Sequence, residues 1–379
     1  MHQEVYLEKT QEEIQSRTID WLRFPLIIGV VFIHMNPVVD VQNINYFALT
    51  AVDCYKLIVT FGSHVVSHIG VPCFFLFSGF LFFYKTKTWN HNVYLKKIKR
   101  RIKTLVVPYL LWNLIAVFVL MIQRLVKMDG SINTFISELI DYNFKIFWNY
   151  NEWGIERTNI LGWKIPSSAP YNIPLWFLRD LIVTAFLSPL IYYFVKWTKF
   201  YGILLLATLY YTRIWPIIPG FSITTFFFFS LGAYFSIFSK NMVISLRTGK
   251  FCWYFLATVS MLLTTYYDGS YVKEYFYPIY VLTGVISAIN IASYLIEYKG
   301  VKPNNILSKA TFFIFATHMI LLLAMVKRGL DKLIKFDTPS ILLIKYLTAP
   351  LLTISICLCL YLLMTKFTPK MLNLLTGSR

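Results

Sequence analysis

Arg23 and His34 lie eleven residues apart on the first apolar stretch of the chain, residues 18–34. Burying an ionisable side chain in a lipid bilayer is costly, so its presence in an apolar segment suggests a function. Because eleven residues make about three helical turns, both side chains are expected on nearly the same helix face, about 16 Å apart along the axis. This face should look into a protein interior or a wet cavity.

His34 is the candidate for proton transfer, because a neutral imidazole can take a proton from a hydroxyl near neutral pH. The following Asn36-Pro37 pair is expected to end the helix. Asp20 lies one turn before Arg23 and can pair with it. The structural alternative is a histidine that only hydrogen-bonds between helices.

Two further stretches could belong to a site. In the segment 71–81, Ser78, Gly79 and Phe80 could line a cavity, although glycine beside serine is also typical of close helix packing. The connection that contains the basic stretch 94–103 has eight Lys and Arg residues, counted from Lys85 to Lys103, and they could orient the chain or bind anionic lipid. The same cluster could bind a phosphorylated cofactor through the forked donors of arginine.

Weaker signals occur later in the chain. Trp176 precedes an adjacent opposite-charge pair, Arg179-Asp180, at the start of an apolar segment. His318 lies ten residues into another apolar segment, at the depth of the membrane centre. His64 and His68 could share a helix face, but without a carboxylate or cysteine partner they are a weak metal site.

The composition indicates a polytopic membrane protein. Hydrophobic residues make up 57% of the 379 residues and charged residues only 14%, against about 25% in a soluble domain. The 36 Lys and Arg residues exceed the 18 Asp and Glu residues. We interpret this excess as membrane topology, not nucleic-acid binding, because the basic residues cluster between apolar runs and no nucleic-acid module is visible.

The pattern predicts an all-α protein with about ten transmembrane helices in one membrane domain, residues 1–379. The segments are approximately 19–39, 58–84, 104–122, 173–195, 201–218, 221–238, 251–267, 276–297, 309–326 and 340–365.

Both termini are expected in the cytoplasm, because most of the Lys and Arg residues then lie on inner segments. Residues 1–17 would be a cytoplasmic tail. They lack the basic start of a signal peptide, so no cleavage is expected. Residues 123–172 would form an extracytoplasmic loop that either covers a substrate opening or shields helix ends.

In this order, the motifs resemble those of the acyltransferase 3 family, integral membrane O-acyltransferases of bacterial surface glycans. The resemblance covers residues 17–365 and rests on Arg17–Arg23 with His34, Phe74–Phe80, Arg100-Arg101 with Pro108-Tyr109, Leu175–Leu178, Phe229–Gly232 and Ser308–His318.

The resemblance implies transfer of an acyl group from acyl-coenzyme A, with acetyl-coenzyme A the expected donor, to a sugar hydroxyl of a surface or lipid-linked polysaccharide. It makes His34 and Arg23 the catalytic candidates. Arg100 and Arg101 would bind the coenzyme. The cavity would be lined by Asp20, Ser78, Gly79, Phe80, Trp176 and His318.

The resemblance also implies a multi-pass protein of the bacterial inner membrane that contacts lipid, donor and glycan, and no metal is expected. The chain would complete the transfer itself or act with other envelope-assembly proteins. Two alternatives stay open at this point. Ten spans with charges inside them also suit a transporter of a lipid-linked or anionic solute, and a non-catalytic assembly scaffold is the third interpretation.

Overall fold

The computed structural model describes residues 2–35, 37–86, 88–127, 144–159 and 161–378, and residues 133, 136, 137 and 140. A hairpin of β1 (Asn151–Thr158) and β2 (Lys164–Ala169) is the only sheet among these residues. The helices are α1 (His2–Ile33), α2 (Ala51–Val59), α3 (Gly70–Phe83), α4 (His91–Arg101), α5 (Val107–Lys127), α6 (Lys145–Trp148), α7 (Trp176–Phe186), α8 (Ser188–Thr212), α9 (Ile223–Ile237), α10 (Met242–Arg247), α11 (Lys250–Tyr266), α12 (Lys273–Lys299), α13 (Asn305–Thr317), α14 (Leu323–Leu333), α15 (Pro339–Phe367) and α16 (Pro369–Thr376).

Each of the ten predicted segments overlaps a helix, which confirms the helical prediction. Judged by length and hydropathy, five helical stretches of the described chain can cross a membrane, or six if α13 and α14 form one bent span. Helix α1 is not among them because Arg17, Asp20 and Arg23 make even its most apolar part, the C-terminal half, too highly charged. Helix α9 has 15 residues, about 22 Å at 1.5 Å per residue, and is short for a bilayer of about 30 Å.

Two helices end within the predicted segments. Helix α1 ends at Ile33 and His34 lies in the turn that follows, near the end that Asn36-Pro37 predicts and before residue 39 of the segment 19–39. A proline at 37 disfavours helix just before it and explains this end. Helix α8 ends before Arg213, whose φ of 55° is left-handed, and it is also interrupted at Lys199 with φ 53° and ψ −131°.

Several helices are joined by irregular helical turns. A π-helical turn at Thr60–Val65 and a 3₁₀ turn at Val66–Ile69 connect α2 to α3. Another π-helical turn, His318–Leu322, connects α13 to α14, which are inclined by 61°. π-Helical turns are rare in proteins and are frequent at functional sites, whereas 3₁₀ turns are common connectors. These irregular turns contain His64, His68 and His318.

One end of the helix bundle brings together segments that the sequence places on the inner side. Lys85 pairs with Glu12 at 3.2 Å. The backbone N–H of Met242 donates to the Gln15 side-chain oxygen at 2.7 Å. The N-terminal half of α1 therefore lies beside the connections that follow α3 and α9, although apolar helices separate these connections from α1 along the sequence. This arrangement also shows that residues 2–17, predicted as a tail, continue the first helix.

The connections predicted on the outer side meet at the other end. The Tyr271 hydroxyl, between α11 and α12, donates to the carbonyl of Asn159 in the hairpin connection at 3.0 Å. Arg213, at the end of α8, forms an ion pair with Glu274 at the start of α12. Alternate connections thus gather at opposite ends, as expected for helices that run back and forth.

Helices α3 and α9 pack backbone against backbone. A Cβ atom on Gly79 would lie 2.0 Å from the carbonyl oxygen of Phe229, and a Cβ atom on Gly232 would lie 2.0 Å from that of Leu76. Real Cβ atoms do not approach so closely, so any larger residue must push the helices apart. Close approach through small residues is the way in which apolar helices gain packing energy in a membrane.

Gly79→Ala should destabilise the protein by about 1–3 kcal/mol, because overpacking displaces the backbone of α9. The measurement is the thermal unfolding temperature of the detergent-solubilised protein. Gly329→Ala is the matched control, since nothing lies within 4 Å of a Cβ at Gly329 in α14. Equal unfolding temperatures for the two variants would contradict the packing argument.

Candidate active site

The structure brings His34 and His318 together from distant parts of the chain. Their ring centroids are 5.1 Å apart, and the ring planes are inclined by 46°. His34 is half-buried in the turn after α1, whereas His318 is fully buried and begins the π-helical turn after α13. The two imidazoles therefore meet where both helices are interrupted.

Backbone carbonyls determine the tautomer of His318. Its Nδ1 atom lies 3.1 Å from the oxygen of Ile314 and 2.9 Å from that of Phe315. A carbonyl can only accept, so Nδ1 carries a proton and donates it to these oxygens. In the neutral ring Nε2 is then an acceptor, and it has no hydrogen-bond partner among the described residues. His318 can therefore accept a proton or a hydrogen bond at Nε2.

Side chains from two other segments hold the turn that carries His34. The Ser63 hydroxyl donates to the Phe32 carbonyl at 2.6 Å, and the Lys327 ammonium donates to the Met35 carbonyl at 3.3 Å. The last carbonyls of a helix have no partner within it, and a cation is favourable at this end. The end of α1 is thus capped by the turn before α3 and by α14.

Arg23 forms an ion pair with Asp20 at 2.9 Å, which confirms the predicted pairing one turn apart. Both side chains remain more than one-third exposed. Because α1 is helical up to Ile33, Arg23 lies about 15 Å below the turn that carries His34. The structure therefore places the two catalytic candidates at different levels of the molecule, without contact between them.

The other predicted lining residues lie at contacts between helices. The Phe80 ring packs on Tyr84 at 5.2 Å, and the Trp176 ring lies 6.3 Å from that of Phe75 on α3. Ser78 is half-buried on the same helix. Helix packing accounts for these positions, and a role in lining the reaction cavity stays a prediction.

The basic stretch forms α4 at the inner end of the bundle. The Arg101 guanidinium lies 5.3 Å from the centre of the Phe82 ring, and the Lys97 ammonium donates to the Phe82 carbonyl at 2.5 Å. Arg100 is exposed. Within the described part of the chain, no carboxylate pairs with Arg100 or Arg101, so their charge is available for an anionic ligand.

A buried ion pair holds the segment above the helices. We call residues 144–159 and 161–172 the cap; most of 128–143, in the predicted loop 123–172, lies outside the described residues. Arg179 and Asp180 are 4% and 1% exposed and pair at 3.0 Å. Arg179 Nη1 also donates to the Trp148 carbonyl at 2.6 Å and to the Ser168 hydroxyl at 3.3 Å. The pair thus connects α7 to both parts of the cap.

Arg179→Met should lower the free energy of unfolding by about 3–5 kcal/mol, because it leaves the Asp180 carboxylate buried without its cation. The double variant Arg179→Met, Asp180→Leu should recover part of this loss. Denaturation of the detergent-solubilised protein measures both. Arg17→Met, which removes an exposed pair with Glu13, is the control and should cost about 1 kcal/mol or less.

The fold supplies a carboxylate that the sequence pattern did not assign to a histidine. His64 Nδ1 lies 2.7 Å from Asp268 Oδ2, and Lys273 binds the other carboxylate oxygen. Burial alone would raise the pKa of Asp268, but the His64 hydrogen bond and the Lys273 charge outweigh it and hold this pKa below its usual range. His68 forms a hydrogen bond with the Tyr277 hydroxyl at 2.8 Å, so the partners of both histidines lie in the first turns of α12 or just before it. No group of three metal-ligating side chains occurs among the described residues.

Comparisons with known proteins agree with this architecture. A family model described as an acyltransferase domain matches residues 17–368. The chain is 29% identical over 383 residues to the succinoglycan biosynthesis protein ExoH of Rhizobium meliloti (strain 1021), an alignment that covers 96% of this chain and 92% of that relative. No solved structure gives a significant match.

The matched range begins before Arg23 and ends after α15, so it includes every candidate site residue. The family resemblance derived from the order of motifs is therefore confirmed. The helical, apolar architecture agrees with a protein that resides in a membrane. The chain belongs to the acyltransferase 3 family and is an acyltransferase that transfers groups other than aminoacyl groups.

Proposed function

We propose that the protein transfers an acetyl group from acetyl-coenzyme A to a sugar hydroxyl of a surface or lipid-linked polysaccharide. The contact between His34 and His318 carries this proposal, because it places a proton acceptor at a helix break in a chain of an acyltransferase family. The polysaccharide as acceptor is supported by the similarity to a succinoglycan biosynthesis protein.

In the proposed reaction His34 acts as general base. It removes the proton of the sugar hydroxyl while the hydroxyl oxygen attacks the thioester carbonyl carbon. The carbon–sulfur bond then breaks, and the coenzyme leaves as a thiolate that takes the proton from His34. The products are an O-acetyl ester and the free thiol of the coenzyme. The Nε2 atom of His318 is the acceptor that can stabilise His34 while it carries the proton.

The donor would bind at the inner end of the bundle. Arg100 and Arg101 offer positive charge that no described carboxylate neutralises, and guanidinium groups match the geometry of phosphate oxygens. Arg23 lies on the part of α1 below His34, so we assign it to the cytoplasmic, donor-facing end of the cavity, where it would orient the donor while Asp20 holds its side chain. No metal is needed for these steps.

We further propose ten spans in a single membrane domain of the bacterial inner membrane, with both termini in the cytoplasm and the cap outside. The basic residues of α4 and the start of α1 lie with the inner connections, as positive residues favour the cytoplasmic side. A cytoplasmic position of α16 is supported by its contact with α5, in which the Trp112 indole donates to the Leu375 carbonyl at 2.9 Å.

His34→Ala should reduce acetyl transfer by about 10²–10⁴-fold, the usual contribution of a general base. The assay follows labelled acetyl groups from acetyl-coenzyme A to the polysaccharide in membrane vesicles. His91→Ala is the control, because this histidine is exposed on α4. Full transfer activity in the His34→Ala variant would contradict the assignment, and labelled solute uptake without ester formation would indicate a transporter.

Arg100→Gln should raise the KM for acetyl-coenzyme A by about tenfold, because one charge-assisted hydrogen bond contributes about 1.5–3 kcal/mol. The KM for acetyl-pantetheine, which lacks the phosphates, should not change. Lys302→Gln makes the same charge change on another exposed inner connection and should affect neither KM. An equal effect of Arg100→Gln on both donors would contradict phosphate binding.

A further inference from the structure

We propose that a cavity beside His318 binds the sugar ring of the acceptor, an inference that rests on the proposed function. The cavity has a volume of about 310 Å³ and lies between α5, the cap and the π-helical turn after α13. This volume is at the small end of the range of about 300–1,000 Å³ that is usual for ligand pockets. The residues that line it include Gln123, Tyr150, Tyr171, Asn172, Met319 and Ile320.

The turn that carries His318 forms part of the cavity wall. Met319 and Ile320 directly follow His318 in the same π-helical turn, and both line the cavity. The amide group of Asn172, which also lines the cavity, donates to the carbonyl of Ala316, two residues before His318, at 3.1 Å. A ligand in this cavity would therefore contact Met319 and Ile320, which belong to the turn that positions His318 against His34.

The lining chemistry suits a neutral sugar better than the donor. Among the described residues no charged side chain lines the cavity, so these walls offer no cation to the phosphates of coenzyme A. The Tyr150 and Tyr171 rings meet edge to face at 4.9 Å and present apolar surface for the C–H faces of a sugar ring. The Gln123 amide can both donate to and accept from hydroxyl groups. The cationic surface for the donor lies on α4, at the other end of the bundle.

Asn172 provides an unused acceptor at this wall. It is 3% exposed, its backbone N–H donates to Asn113 Oδ1 at 3.0 Å, and its Oδ1 has no partner among the described residues. The bond to the Ala316 carbonyl fixes the orientation of the amide, because the flipped amide would set two oxygens against each other. A buried acceptor without a donor costs about 1–3 kcal/mol. Because Oδ1 is itself buried, a sugar hydroxyl would supply this donor only when binding is accompanied by a small shift of the wall.

The first test fills the cavity from α5. Ala116 is buried and lines it, so Ala116→Leu should occupy the space of the ligand while it keeps or raises the unfolding temperature. We expect the kcat/KM for the acceptor to fall by about tenfold or more, equivalent to about 1.4 kcal/mol. The acceptor used is surface polysaccharide from a strain deleted for the gene, stripped of esters with mild base.

The second test removes a polar contact. Gln123→Leu should raise the KM for this polysaccharide and leave the KM for acetyl-coenzyme A within about twofold, with Gln42→Leu at an exposed outer position as the matched control. Unchanged acceptor kinetics in both cavity variants, or an equal loss for donor and acceptor, would overturn the inference while wild-type transfer still supports the proposed function. A wild-type protein that transfers no acetyl group to the polysaccharide would overturn the proposed function itself.

Discussion

The contact between two imidazoles depends on the interruption of two helices at the place where they meet. The Ile314 carbonyl accepts both the backbone N–H of His318 and the Nδ1 N–H of its ring, and the Phe315 carbonyl is the second acceptor for Nδ1. The turn after α1 is held in a similar way by the Ser63 hydroxyl. Because buried polar groups without partners are costly, these local hydrogen bonds fix both rings.

The same constraint explains how the cap is attached. The Arg179–Asp180 pair supplies a buried guanidinium whose remaining donors are directed to the carbonyl of Trp148 and to Ser168. The Asp180 carboxylate balances the charge of Arg179 inside the bundle, and other N–H groups of Arg179 donate to residues of the cap. The cap, and with it the wall of the cavity at Tyr171 and Asn172, is thereby held above α7.

The two ends of the bundle differ in chemistry. The inner end has a helix whose Arg100 and Arg101 pair with no carboxylate of the described residues, whereas the described walls of the cavity under the cap are aromatic, amide and aliphatic groups. The turn that carries His318 borders that cavity through Met319 and Ile320. In the proposed reaction a phosphorylated donor and a sugar acceptor therefore approach from opposite directions. Such an arrangement suits a transferase whose two substrates are present on different sides of a membrane.

Composition and contacts within one turn are enough to predict the helical, apolar class of the protein, the approximate positions of its helices and the Asp20–Arg23 pair. The sequence also identified the family through the order of short motifs. The partners of the polar side chains were decided by the tertiary structure alone: His318 for His34, Asp268 for His64, and the cap for Arg179. Helical periodicity relates residues only a few positions apart, so it carries no information on which distant segments meet. For the same reason the sequence shows Gly79 as a small residue, while only the packed helices show that the Phe229 carbonyl fills the space of its missing side chain.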